Sequence, residues 1–135
     1  MPRFVFLSAL VLLTPISSAF SKEPACHVEP FRGATLPQGT VARMYVVNLG
    51  KPCLVANHGL PGERSNPADS GRITMQPAHK KAEFVAPHAK YTPERGYVGE
   101  DEFTYEAFAR GKGEQQVRLK VQVKVKVAGP WNAGA

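Results

Sequence analysis

The apolar positions of this chain alternate instead of recurring at helical spacing, and the alternation is strictest near the end. Over residues 117–127, Val117, Leu119, Val121, Val123, Val125 and Val127 face one way, while Arg118, Lys120, Gln122, Lys124 and Lys126 face the other. Successive strand residues point to opposite faces, so a period of two marks a half-buried β-strand. Residues 102–109 repeat the pattern with Phe103, Tyr105, Ala107 and Ala109 on one side, and Gly111-Lys112-Gly113 between the runs predicts a hairpin. A three-residue loop there pairs Arg110 with Glu114, Phe103 with Val121, Tyr105 with Leu119, Glu106 with Arg118 and Glu100 with Lys124. This register keeps both apolar rows on a single face, as burial demands.

Earlier in the chain the same reasoning predicts strands over residues 25–29, 40–48, 53–56, 72–76 and 82–85. The second carries Val41, Arg43, Tyr45 and Val47 on one side and Ala42, Met44, Val46 and Asn48 on the other, which suits a strand central in its sheet and packed on at least one side. Gly50-Lys51-Pro52 is a turn, and residues 57–71 read by composition as a long loop. There is no internal repeat and no sustained helical period. Seven such strands in about 100 residues predict an all-β fold, a single two-sheet sandwich of the immunoglobulin type with Greek-key connections.

The stretch Tyr91-Thr92-Pro93-Glu94-Arg95-Gly96-Tyr97-Val98-Gly99-Glu100-Asp101-Glu102-Phe103-Thr104-Tyr105 joins a turn-rich approach to the start of an alternating strand. It resembles the Y-T-P…G-Y-x-G-x-D-x-F-x-Y signature of bacterial immunoglobulin-like and cadherin-like domains of exported proteins, over residues 71–127 and more weakly from Cys26 onward. The resemblance implies the sandwich fold and a role as spacer or binding surface. In it Tyr97, Phe103 and Tyr105 are core anchors, Gly96 and Gly99 permit the bend, Pro93 restrains the approach, and Asp101 accepts hydrogen bonds from the backbone of the turn. Relatives often place a P-x-H-G turn upstream; Pro77-Ala78-His79-Lys80 lacks the glycine, which implies a different turn or a strained positive φ at Lys80. Cadherin-like relatives bind calcium through clustered carboxylates, but the alternation directs members of the triplet Glu100-Asp101-Glu102 to opposite faces and no D-x-N-D-N run is present.

Residues 1–21 have the layout of a cleaved secretory signal: Arg3, an apolar stretch from Phe4 to Leu13, then Ser17-Ser18-Ala19 or Ala19-Phe20-Ser21 for cleavage. The apolar stretch is about ten residues against the roughly 20 of a spanning helix, and Glu23-Pro24-Ala25 does not favour lipidation of Cys26. Residues 22–130 then form the one domain and 131–135 a short tail, in a periplasmic or secreted protein with no membrane span. Loss of Arg3 lowers the net charge of +6 to +5, a mild bias towards anionic partners. In an exported chain the two cysteines, Cys26 and Cys53, are read as a disulfide, there being no C-x-x-C spacing for metal or redox chemistry.

The outward residues Arg118, Lys120, Lys124 and Lys126 form a cationic row suited to an acidic polymer of the envelope, in part neutralised by the acidic residues across the hairpin. Neither Ser65 nor Ser70 sits in a nucleophile elbow, and phosphate-loop and zinc-protease motifs are absent. His27, His58, His79 and His88 are scattered; His79 and His88 flank one short strand and are expected to be able to approach each other, with Met75 close by, which makes them candidates for a copper or zinc site. The sequence therefore predicts a non-enzymatic exported domain without cofactor, acting by binding or structural association on an unknown protein or an anionic envelope polymer. Nucleic acid is disfavoured, and polyanion binding and metal binding stand as alternatives.

Overall fold

The computed structural model describes residues 25–59, 68–110 and 112–130. The signal and tail assignments and Ser65 lie outside them. The described residues form eight strands: β1 Cys26–Val28, β2 Thr40–Val47, β3 Cys53–Val55, β4 Ser70–Met75, β5 Lys80–Val85, β6 His88–Pro93, β7 Gly99–Arg110 and β8 Gln116–Ala128. They make a five-stranded sheet ordered β1-β2-β8-β7-β4 and a three-stranded sheet ordered β3-β6-β5. The chain is all-β in two sheets, as the alternation predicts.

Strand β6 falls where the sequence predicts only an approach to a bend. Its last residue is Pro93, which ends the ladder opposite Lys80, a position where a missing N–H costs little. The alternation His88-Ala89-Lys90-Tyr91-Thr92-Pro93 buries Ala89, Tyr91 and Pro93.

The core lies between the sheets. The large sheet contributes Ala42, Met44 and Val46 from β2, Phe103, Tyr105, Ala107 and Ala109 from β7, and Leu119 to Val127 at alternate positions of β8. The small sheet answers with Cys53, Val55, Ala82, Ala89 and Tyr91. Burial at about 25 cal/mol per Å² of apolar surface makes this interlayer the main favourable term. Between the layers a row of rings runs from Tyr91 to Phe103 (5.7 Å between centroids) to Tyr105 (6.3 Å) to His58 (5.7 Å).

Each side of the sandwich is closed separately. Cys26 and Cys53 form the expected disulfide, with Cα atoms 5.3 Å apart, joining β1 of one sheet to β3 of the other. On the opposite side β4 passes directly into β5. There the Gln76 carboxamide accepts from the Ala82 N–H and donates to the Ala82 carbonyl, each at 3.0 Å. The side chain thus pairs with the open edge of β5 as a strand would, blunting a template for unwanted pairing.

The β7–β8 register departs from expectation by two residues. Phe103 lies opposite Val123, Tyr105 opposite Val121, Glu106 opposite Lys120 and Glu100 opposite Lys126. The connection is longer than three residues: pairing closes at Arg110 and Gln116, and a 3₁₀ turn at Lys112–Glu114 reverses the chain with Gly113 and Glu114 at positive φ. A two-residue shift preserves the faces, so the hydrophobic pattern fits both registers equally well.

Candidate binding surface

The outer face of the large sheet follows from the same alternation that fills its inner face. Strand β2 runs parallel to β8, Arg43 beside Lys124 and Tyr45 beside Lys126, while β7 sets Glu102 and Glu100 on the other flank of these lysines. One step earlier the row is Val41, Gln122 and Thr104. Arg43, Lys124 and Lys126 are exposed, and none of them makes an ion pair among the described residues. Glu102 accepts instead from the Gln122 amide at 3.2 Å. Tyr45 donates its hydroxyl to Glu29 at 3.1 Å and stacks on His27 with 6.2 Å between centroids. The Glu29 carboxylate at that hydroxyl holds the phenol above its usual pKa.

This face is hollowed rather than flat. A shallow depression of about 810 Å³ lies over Arg43, Tyr45, Lys124, Lys126, Glu100 and Glu102. A second, of about 500 Å³, adjoins it at Met75 and covers Gln122, Thr104 and Lys120.

The four cations expected to act together are divided by the structure. Arg118 donates to Glu106 at 2.6 Å, and Arg72 approaches the same carboxylate at 3.2 Å. Arg118 first, then Arg72, hold Glu106 below the usual carboxylate pKa. Arg118 is thus engaged, on the diagonal of the ladder instead of directly opposite, and six residues along β8 from Lys124, roughly 20 Å away. Lys120 is half-buried, its backbone N–H bonded to Ala34 O at 2.9 Å. Lys124 and Lys126 stay together and gain Arg43, a residue the sequence cannot assign because nothing local says which strand lies beside β8.

In the signature stretch the roles also shift. Gly96 (φ 79) and Gly99 (φ 144) do make the bend. A Cβ on Gly99 would come within 2.8 Å of the Tyr97 hydroxyl, which donates to the Glu100 carbonyl. Phe103 and Tyr105 are fully buried anchors, but Tyr97 is only half-buried at the rim, stacked on the His79 ring at 3.8 Å. Asp101 serves a different turn from the one expected. Its carboxylate accepts from Ala78 N (3.0 Å), His79 N (3.1 Å) and the Tyr91 hydroxyl (2.8 Å), tying the Pro77–Lys80 turn to β7. The bend at residues 94–97 is held by Asn48, whose amide donates to the carbonyls of Glu94 (2.7 Å) and Tyr97 (3.1 Å). Lys80 takes φ 108, the strained alternative to the missing glycine.

The histidines do not assemble. His79 precedes Lys80, which pairs with Pro93, whereas His88 pairs with Val85 at the other end of the β5–β6 ladder. The two are therefore kept apart by the length of the hairpin, which corrects the idea that they approach each other. Among the described residues no group of three His, Cys, Asp or Glu side chains is disposed to hold a metal ion.

His58, by contrast, is fully buried. Its Nε2 lies 2.8 Å from the Pro87 carbonyl, which only accepts, so Nε2 carries the proton and Nδ1 accepts from the Tyr105 hydroxyl at 2.9 Å. Burial lowers the His58 pKa; the Pro87 hydrogen bond opposes this and the neighbouring His88 reinforces it. Burial likewise raises that of Tyr105. Part of the expected 57–71 loop is thus structural: His58 and Ala68 are in the interior and Ser70-Gly71 already belong to β4. No protein-family model, curated protein or solved structure matches this chain.

Proposed function

We propose that the chain is an exported, non-enzymatic domain of immunoglobulin-like Greek-key topology that acts by binding, and that its ligand is an anionic polymer of the cell envelope. Three strand neighbours in each sheet support the topology: β3-β6-β5 and β8-β7-β4 repeat the B-E-D and G-F-C orders of that fold. The disulfide departs from it, linking β1 to β3 instead of the B and F strands. A disulfide between the layers fits an oxidising compartment and hence export. The reading as a non-enzyme draws on His58, which is sealed in the core with both ring nitrogens engaged.

The observation that carries the binding assignment is the parallel pairing of β2 with β8, which sets Arg43 beside Lys124 and widens one line of cations into a patch. An interface with another protein is less well served by this face, because Lys and Glu are depleted from the centres of protein interfaces. Retention on an immobilised heparin column as salt is raised tests the assignment. The triple variant Arg43→Glu, Lys124→Glu, Lys126→Glu is expected to elute in the void, with the wild type released at about 0.3 M salt. Identical elution of the two proteins refutes the assignment.

A further inference from the structure

The patch is not uniformly positive, and its layout narrows the ligand. Each charged row reads across the strands as a donor on β2 or β8 and an acceptor on β7: Arg43 and Lys124 face Glu102, and Lys126 faces Glu100. The next row, towards Gln122 and Thr104, is neutral and offers both donors and acceptors. Successive rows are about 7 Å apart along the strand; one depression lies over the charged rows and the other over the neutral row, and the two, which share Met75, together form the open trough over this face.

A chain of phosphates carries acceptors and negative charge only. It satisfies the three cations but has nothing to donate to Glu100 and Glu102, which repel it across a partly screened distance. A chain bearing both carboxylates and hydroxyls satisfies every group in the trough. Its carboxylates pair with the guanidinium and ammonium groups, and its hydroxyls donate to the glutamates and exchange hydrogen bonds with Gln122 and Thr104. At the end of the trough the exposed ring of Tyr45, steadied by His27 and Glu29, supplies a flat apolar surface for the C–H face of a pyranose.

From this complementarity we infer that the outer face of the five-stranded sheet is a site for an acidic polysaccharide lying along β8, with carboxylates on Arg43, Lys124 and Lys126 and hydroxyls on Glu100 and Glu102. This rests on the polyanion reading given above. The two are separable because the glutamates act oppositely in them: in a purely electrostatic site their loss strengthens every polyanion, whereas here they are ligand contacts.

The test is titration calorimetry of the full chain with polygalacturonate, polyphosphate and neutral dextran, for the wild type and for Glu100→Ala/Glu102→Ala. The wild type is expected to bind polygalacturonate about tenfold more tightly than polyphosphate at equal charge concentration, and dextran more weakly than either. The double variant is expected to lose about fivefold for polygalacturonate while gaining for polyphosphate. Tightening of both polyanions by the double variant overturns the polysaccharide assignment and leaves the polyanion reading standing. Dextran binding as strong as that of polygalacturonate overturns the role of the carboxylates. Failure to bind either polyanion overturns the polyanion reading itself.

Discussion

The row of rings between the sheets ends in a carboxylate on one side and an imidazole on the other. Asp101 accepts from the hydroxyl of Tyr91 and His58 from that of Tyr105, so two buried tyrosines are satisfied by two different chemistries. Asp101 sits near the rim and gathers backbone donors of a turn, acting as a clamp between β7 and the β4–β5 connection. His58 is shut away from water and must remain neutral to stay there, acting as a plug between β7 and the Pro87 carbonyl. The contrast teaches that a polar group between sheets is tolerated by either route, provided its partners are complete.

The largest expected effect breaks the clamp. Asp101→Ala leaves the Tyr91 hydroxyl and two turn N–H groups without their acceptor, and a loss of about 3 kcal/mol is expected in urea unfolding at neutral pH. A loss below about 1 kcal/mol would mean that water replaces the carboxylate. His58→Ala comes next. It creates a cavity and orphans the Tyr105 hydroxyl, for an expected loss of about 2 to 3 kcal/mol, and Tyr105→Phe, which keeps the ring, is expected to cost about half as much.

Acid distinguishes the two ends further. The folded-state pKa of His58 lies below its unfolded value, so the unfolded chain takes up the proton first. The stability this histidine contributes is present above about pH 6.5 and is lost as pH falls through the depressed folded value, at a slope of up to about 1.4 kcal/mol per pH unit. Urea melts from about pH 7.5 down to about pH 5.5 are expected to show the wild type losing its advantage over His58→Gln. Parallel pH profiles for the two proteins would contradict the plug. The smallest effect is a gain: Lys80→Gly relieves the positive φ in the turn that Asp101 clamps, and an increase of about 1 kcal/mol is expected.

These two ends were not equally legible in the sequence. Asp101 was expected to accept hydrogen bonds at a turn, but that expectation pointed to the nearest turn, whereas the chain uses the one that folds back from β4. His58 stands among Asn, Gly and Pro in a stretch that reads as loop, and no periodicity extends over a single buried side chain; its proximity to Tyr105 spans 47 residues of sequence. Strand β6 was hidden for a related reason, since Pro93 argues against a strand everywhere except at its end.

What the sequence determined by itself was the assignment of faces: Val117 to Val127 inward, Lys124 and Lys126 outward, Ala42, Met44 and Val46 against Arg43 and Tyr45. A period of two is a property of the strand alone and survives any register of the same parity. The cysteine pair was legible likewise, because the sequence has two cysteines and so a single possible pairing. Tertiary structure alone decided which strands are neighbours, and therefore which charges meet. The two-residue shift in the β7–β8 ladder moved Arg118 off the direct pair with Glu106, and the parallel docking of β2 brought Arg43 to Lys124. Neighbour choice is set by burial of the whole inner face and by closure of both sides of the sandwich, which are sums over the entire chain, so no local pattern encodes them.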